Sequence, residues 1–192
     1  MRGRVRNVNV ERGFGFITSE DGNDYYFNED SLTSGLIIND CQRNVEIEFD
    51  ITKQQDGRTK AINCRIPEHE SVKYFKESAL VISEKKELYD LFCDYAKKYA
   101  ERLASGEVTT SMIRKIYARI LNARSVEDIK LLRPHFAYTS GRNEKVAVLR
   151  EFMDLLDYLA KKMEINNEQH LSNYKRFVEA IVAYRKYVGN DK

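Results

Sequence analysis

The hydrophobic residues of this chain change their period once, near Pro67, and that change restricts the fold more than any single motif. Before it, short runs rich in β-branched and aromatic residues alternate with turn chemistry. The candidate strands are 5–10, 15–18, 24–28, 45–52 and 60–66, with Asp21-Gly22-Asn23 and Asp56-Gly57 as turn signals between them. Five short strands within residues 1–67 predict a small closed barrel of the OB type.

Across residues 71–188 the apolar positions recur at helical spacing, and Pro134 is the only further proline. A first helical stretch, about 71–104, carries the stripe Tyr89, Phe92, Cys93, Ala96, Tyr99, Ala100 and Leu103, with a break near Ser83 and an end near Gly106. Thr109 or Thr110 caps the next helix, with Met112, Ile113, Ile116, Tyr117, Ile120 and Leu121 inside. Ser125-Val-Glu-Asp reads as a cap with an acid at its third position, opening a short helix that cannot run far past Pro134. Asn143 is the expected start of a long helix containing Leu149, Phe152, Met153, Leu156, Leu159 and Met163. Asn167 starts the last, with Tyr174, Phe177, Val178, Ile181, Tyr184 and Val188 inside and Gly189 as its stop. The expected fold is therefore α+β in two domains. A five-stranded OB-type barrel spans 1–67, a linker or the start of the helical region spans 68–83, and an all-α helical bundle spans 84–192.

Charge divides along the same boundary. Residues 1–67 hold 9 Lys/Arg against 11 Asp/Glu, residues 68–108 hold 7 against 9, and residues 109–192 hold 16 against 10. A polyanion is attracted most strongly to the last third. There the apolar stripes leave Arg114, Lys115, Arg119, Arg176 and Lys186 off the core side, Lys115 and Arg119 one turn apart. Arg142 is expected in a loop just before a helix N-terminus, where backbone N–H groups also favour a phosphate, or else paired with Glu179 or Asp154 inside the bundle. Tyr138, Tyr184 and Tyr187 are read as core or subunit contacts rather than base stackers.

Chemistry-bearing constellations are missing from the sequence. His69, His135 and His170 are isolated, and Gly13-Phe14-Gly15 lies between strands rather than forming a Walker loop. Cys41, Cys64 and Cys93 read as inert thiols in a reducing compartment. We expect no catalysis, metal or cofactor. No apolar run is long enough for a membrane span, and the basic start Met-Arg-Gly-Arg-Val-Arg lacks the apolar core of a secretory signal, so a cytoplasmic location is expected.

Two segments carry family resemblances. Thr110-Ser-Met-Ile-Arg-Lys-Ile-Tyr117, Phe136-Ala-Tyr-Thr-Ser-Gly-Arg142 and Arg176-Phe-Val-Glu-Ala-Ile-Val-Ala-Tyr-Arg-Lys-Tyr-Val-Gly189 resemble, in order and spacing, the small-subunit family of the type III-A (Csm) CRISPR effector complex. That resemblance implies an all-helical, non-catalytic subunit lining the groove in which guide RNA pairs with target RNA. Its partners would be both RNAs, the backbone subunit, the large subunit and further copies of itself. RNA cleavage and cyclic nucleotide synthesis would belong to the backbone and large subunits. Because guide sequences vary, such a subunit should grip phosphates and leave bases unread.

Arg12-Gly-Phe-Gly-Phe-Ile17 and Asp21-Gly-Asn-Asp-Tyr-Tyr-Phe-Asn28 resemble the cold-shock domain. The resemblance implies bases of single-stranded RNA stacking on Phe14, Phe16 and Tyr26, with Arg6 and Arg12 alongside and Tyr25 and Phe27 inside the barrel. It also implies glycines that leave the ring faces open. The family pattern Lys-Trp-Phe is replaced on the first strand by Arg6-Asn7-Val8, and the family's His by Asn28; the chain has no tryptophan at all. Two readings of the barrel stay open: a residual RNA clamp, or a barrel kept for packing or protein docking. For the whole chain the alternative to a complex subunit is a free-standing single-strand RNA chaperone of cold-shock type with a helical dimerisation domain.

Overall fold

The computed structural model describes residues 1–33, 35–54 and 58–189, and it divides into two units, Met1–Glu68 and His69–Lys192. The Asp56-Gly57 turn signal lies outside the described residues.

The first unit is a closed barrel of β1 (Arg2–Asn9), β2 (Phe14–Ser19), β3 (Asp24–Asn28), β4 (Glu46–Lys53) and β5 (Thr59–Arg65), in the order β1-β2-β3-β5-β4. β1 pairs antiparallel with β2 and β4, and β3 closes the circle on β5 in parallel at Tyr26↔Lys60. Asp21-Gly22-Asn23 turns the chain between β2 and β3, with the Asn23 N–H donating to Asp21 Oδ1 at 2.9 Å. Strand alternation drives Val5, Ile17, Tyr25, Phe27, Ile47 and Phe49 into the interior. Cys41 and Cys64 are buried with them, and desolvation pushes their thiols up to about 12 and about 11. A bulge between Val5 and Asn7 breaks the alternation of β1, so that Arg6 and Asn7 both lie outside.

The second unit contains α1 (Glu70–Ser78), α2 (Tyr89–Ser105), α3 (Thr110–Asn122), α4 (Val126–Leu131), α5 (Arg133–Arg142), α6 (Ala147–Lys162) and α7 (Glu168–Val188). The expected break near Ser83 is a pair of 3-10 turns, Ile82–Glu84 and Lys86–Leu88. Three expected caps are present. Thr109 accepts from the Met112 N–H, Ser125 and Asp128 form a reciprocal capping box, and Asn167 accepts from the His170 N–H. Gly189 ends α7 at φ +79°, a conformation that costs glycine little. Phe75 anchors the core, its ring 4.8 Å from Phe177, 5.7 Å from Phe92 and 6.1 Å from Tyr99. Two members of the expected stripes are half exposed instead: Tyr89, which stacks on Phe92 from outside, and Leu121 at the end of α3.

One stretch differs from expectation. Pro134 does not merely end a helix; it sits in the first turn of α5, where its missing N–H has no helical partner to lose. Asn143 is not the start of a helix but the C-cap of α5, its side chain donating to the Thr139 carbonyl at 2.9 Å. α6 begins only at Ala147.

Candidate nucleic-acid interface

Each unit presents one face suited to nucleic acid. On the barrel, the β2–β3 register sets Phe16 opposite Tyr26 and Phe14 opposite Asn28. The side chains of Phe14, Phe16 and Tyr26 emerge together and half exposed, while Tyr25 and Phe27 point inward. Ring centroids lie 5.9 Å apart for Phe14–Tyr26, 5.8 Å for Phe16–Tyr26 and 6.3 Å for Phe14–Phe16. Three rings so grouped form an apolar platform with open π-faces.

The glycine between Phe14 and Phe16 has an internal cause. A Cβ on Gly15 would fall 2.7 Å from the Phe27 ring and 2.7 Å from the Asn7 carbonyl oxygen. Gly15 therefore makes room for Phe27 inside the barrel, which corrects the expectation that it is there to open the outer ring faces.

The charge around the platform is modest. Arg6 is ion-paired with Asp24, whose carboxylate also accepts from Thr18 Oγ1 at 2.6 Å. The Thr18 hydrogen bond and then Arg6 hold Asp24 below the usual carboxylate range. Arg12 is exposed in the β1–β2 turn. Lys60, which sequence reasoning missed, is the cross-strand partner of Tyr26. Asn7, paired with Phe16 across β1–β2, offers an amide to the same face.

In the helical unit, α3 packs mainly on α7 and α5 mainly on α6, leaving a cleft of about 530 Å³ between α3 and α5. α3 contributes Ser111, Met112, Lys115, Ile116 and Arg119; α5 contributes His135, Tyr138, Thr139 and Arg142, with Asn143 at its end. Lys115, Arg119 and Arg142, placed apart by sequence, thus converge on one concave surface. Among the described residues no carboxylate lines it and none of the three cations forms an ion pair; Arg142 pairs with neither Glu179 nor Asp154. Arg142 reaches the cleft from the C-terminal end of α5, not from a helix N-terminus. Its guanidinium is favoured there by the helix dipole, and a phosphate would be held by the side chain rather than by backbone N–H groups.

The other expected cations lie elsewhere. Arg114, Arg176 and Lys186 are exposed but do not line the cleft. Arg124, missed in the sequence, shares a neighbouring groove with Arg119. Much of the positive charge of this region is committed internally. Lys130 Nζ donates to the Ala160 and Lys161 carbonyls, Lys175 Nζ to the Leu121 and Ala123 carbonyls, and fully buried Arg185 to the Val108 and Gly189 carbonyls. Arg133 and Lys161 both pair with Asp157, at 2.7 and 2.5 Å. Tyr138, expected as a core or subunit contact, is not in the core: it is 65% exposed at the cleft. The spacing His135, Tyr138, Thr139, Arg142 is a helical face that the sequence held, once Pro134 is read as a helix start.

Among the described residues no group of three or more His, Cys, Asp or Glu side chains could hold a metal ion, and no helix is long and apolar enough to cross a membrane.

An OB-type barrel with an outer aromatic platform, followed by a helical bundle with a basic cleft, defines a two-unit protein of the cold-shock-plus-bundle type. Comparison with known proteins agrees for each unit. Residues 1–67 match the model of the 'cold-shock' DNA-binding domain, and residues 86–191 match that of Csm2 Type III-A. Csm2 of the CRISPR system of Streptococcus thermophilus is 36% identical over 92 residues, 43% of this chain and 74% of that protein. Cold shock protein 1 of Arabidopsis thaliana is 36% identical over 76 residues, 37% of this chain but only 24% of that protein. The chain belongs to the type III-A Csm2 family and carries a cold-shock domain ahead of the family's helical region.

Proposed function

We propose that this protein is a non-catalytic small subunit of a type III-A CRISPR ribonucleoprotein, and that its helical unit grips the paired guide and target RNAs by their phosphates. The observation that carries this reading is the convergence of Lys115, Arg119 and Arg142 on one cleft without a carboxylate in its lining. Unpaired cations on a shaped surface bind nucleic acid without reading its sequence, as a groove for variable guides requires. Several copies would line the groove beside the backbone and large subunits. Arg114, Arg176 and Lys186 would extend the contact along α3 and α7. The platform of Phe14, Phe16 and Tyr26 supports a second role, in which the barrel holds an unpaired stretch of target RNA.

The test is the salt dependence of duplex binding by the full chain. Replacing Lys115, Arg119 and Arg142 together by Ala should weaken binding and lower the log–log salt slope by about 0.7–0.9 per lost contact. An unchanged slope would mean that these cations are merely solvated. Copurification separates the complex subunit from a free-standing chaperone: the former should bring down guide RNA of uniform length with the other Csm proteins, the latter mixed transcripts.

A further inference from the structure

The outer face of β2 does not end with the aromatic platform. Phe14, Phe16 and Thr18 alternate outward along β2, and each has a partner on either side: Asn9 and Asn28 for Phe14, Asn7 and Tyr26 for Phe16, Arg4 and Asp24 for Thr18. The third of these rows lies about 7 Å beyond the second, and it is polar. Thr18 Oγ1 donates to Asp24 Oδ1 at 2.6 Å, and Asp24 Oδ2 is ion-paired with Arg6. Arg6 is the residue that the β1–β2 register skips at the bulge, and its side chain spans β2 to reach Asp24 on β3. Arg4 is drawn the other way, donating to the Asn44 carbonyl at 3.3 Å. The cation beside the rings is therefore tied down by a carboxylate of the barrel itself. A guanidinium that takes a carboxylate can take a phosphate instead, because both present two oxygens to the same fork. The Arg6 side chain remains 65% exposed, so a phosphate can reach it, while the Thr18 hydrogen bond keeps Asp24 in position to compete.

We propose that Asp24 is an internal competitor for nucleic acid at the barrel: it holds Arg6 in place of a phosphate, and a single strand lying on Phe14, Phe16 and Tyr26 gains Arg6 as a contact only by displacing this carboxylate. This rests on the reading of the platform as a single-strand site and adds to it the residue that limits its affinity. Base stacking is paid against a closed ion pair, so the barrel holds a free strand weakly. A strand brought to high local concentration by the rest of the chain is still bound.

The experiment titrates a short labelled homopolymeric single-stranded RNA against the full chain at several salt concentrations. Asp24→Asn keeps an acceptor for Thr18 but removes the charge that holds Arg6. It should tighten binding about two- to fivefold, the worth of one exposed ion pair. It should also steepen the log–log salt slope by about 0.7, the value of one single-strand phosphate contact. Adding Arg6→Ala to Asp24→Asn should remove both gains. Thr18→Val leaves the charge but takes away the hydrogen bond that aims it, and should give part of the gain. Thermal unfolding of each variant establishes that the fold is intact, as expected for exposed and half-exposed side chains. Weaker binding by Asp24→Asn overturns the proposal, because Asp24 would then contact the strand itself. A gain that persists when Arg6→Ala is added also overturns it, since that gain comes from lower negative charge alone. If changing Phe14, Phe16 and Tyr26 to Ala weakens single-strand binding but Asp24→Asn has no effect, the proposal fails and the platform reading stands. If the triple change has no effect either, both fail.

Discussion

Arg102 of α2 and Glu151 of α6 are joined by two hydrogen bonds, Nε to Oε1 at 2.9 Å and Nη2 to Oε2 at 2.7 Å, the parallel fork that guanidinium and carboxylate geometry favour. The pair is partly buried and bridges helices 49 residues apart in the chain. Replacing Arg102 by Ala leaves Glu151 without its partner beside Tyr99, whose hydroxyl is already held neutral by burial and by that carboxylate. A loss of about 2 kcal/mol is expected, in the range of hydrogen bonds to charged groups. Glu151→Gln keeps the shape and one acceptor, so chemical denaturation should show a smaller loss for it than for Arg102→Ala. Equal and negligible losses would class the pair with ordinary surface ion pairs.

His69 reports on the same region. Its Nδ1 accepts from the Ser71 N–H at 3.3 Å and caps α1, which requires that nitrogen to be unprotonated. Burial, and then the positive charge of Arg102, hold its pKa below the usual histidine value; Glu151 and Glu70 oppose this shift and Lys98 adds to it. The unfolded chain, with a histidine near the ordinary value of about 6.5, therefore binds more protons than the folded one as the pH falls. The stabilisation is complete above that value and is lost as the pH drops from there through the lowered folded value. Thermal unfolding between pH 7.5 and 5 should show this loss in the unaltered protein. It should be smaller in His69→Asn, which caps without titrating. Parallel pH profiles for the two proteins would remove His69 from the account.

Arg185 and Lys186 are adjacent cations with opposite roles. Arg185 is fully buried and its Nε donates to the Val108 carbonyl at 2.7 Å, tying α7 to the segment between α2 and α3. Lys186 is exposed. Arg185→Met should cost about 2–4 kcal/mol, because it strands a buried carbonyl and leaves the guanidinium's volume unfilled. Lys186→Met, at an exposed position, should cost less than Arg185→Met. Similar unfolding midpoints for the two variants would contradict this division.

The same two residues show how far the sequence reaches. The stripe Tyr174, Phe177, Val178 and Ile181 continues at helical spacing to Arg185, so the periodicity already placed that cation inside; a charged side chain simply hides in a hydrophobic pattern. Barrel strands and the caps at Thr109, Ser125 and Asn167 were legible because each rests on local chemistry. Pro134 and Asn143 were not, since proline suits both the end of one helix and the first turn of the next, and asparagine suits either end. Misplacing α5 hid the face that His135, Tyr138 and Arg142 share. The cleft itself depends on α3 and α5 packing against different neighbours, which no local pattern encodes. Gly15 was legible as a glycine but not its reason, which lies with Phe27 on the next strand.

The barrel offers the sharpest test of its own role. Phe14, Phe16 and Tyr26 form a platform, but Arg6 is engaged with Asp24 and the first strand supplies Asn7 where the cold-shock pattern supplies tryptophan. Asn7 is exposed and directly opposite Phe16, and the bulge at Arg6 keeps it on the outer face. Asn7→Trp should therefore add a fourth ring beside Phe16 without entering the core. If the platform stacks bases, that change should strengthen binding of single-stranded RNA by about 1–3 kcal/mol, and changing Phe14, Phe16 and Tyr26 to Ala should weaken it by about as much for each base released. A continuous duplex should respond to neither, because paired bases cannot stack on side chains. The Asn7→Trp gain should also shrink in the background of the triple Ala variant, since a base sandwiched between the introduced indole and Phe16 needs both rings. Titration of a labelled homopolymeric RNA against the full chain reads all of these effects. If Asn7→Trp brings no gain and the triple change no loss, the three rings serve a protein partner and the barrel is a docking module.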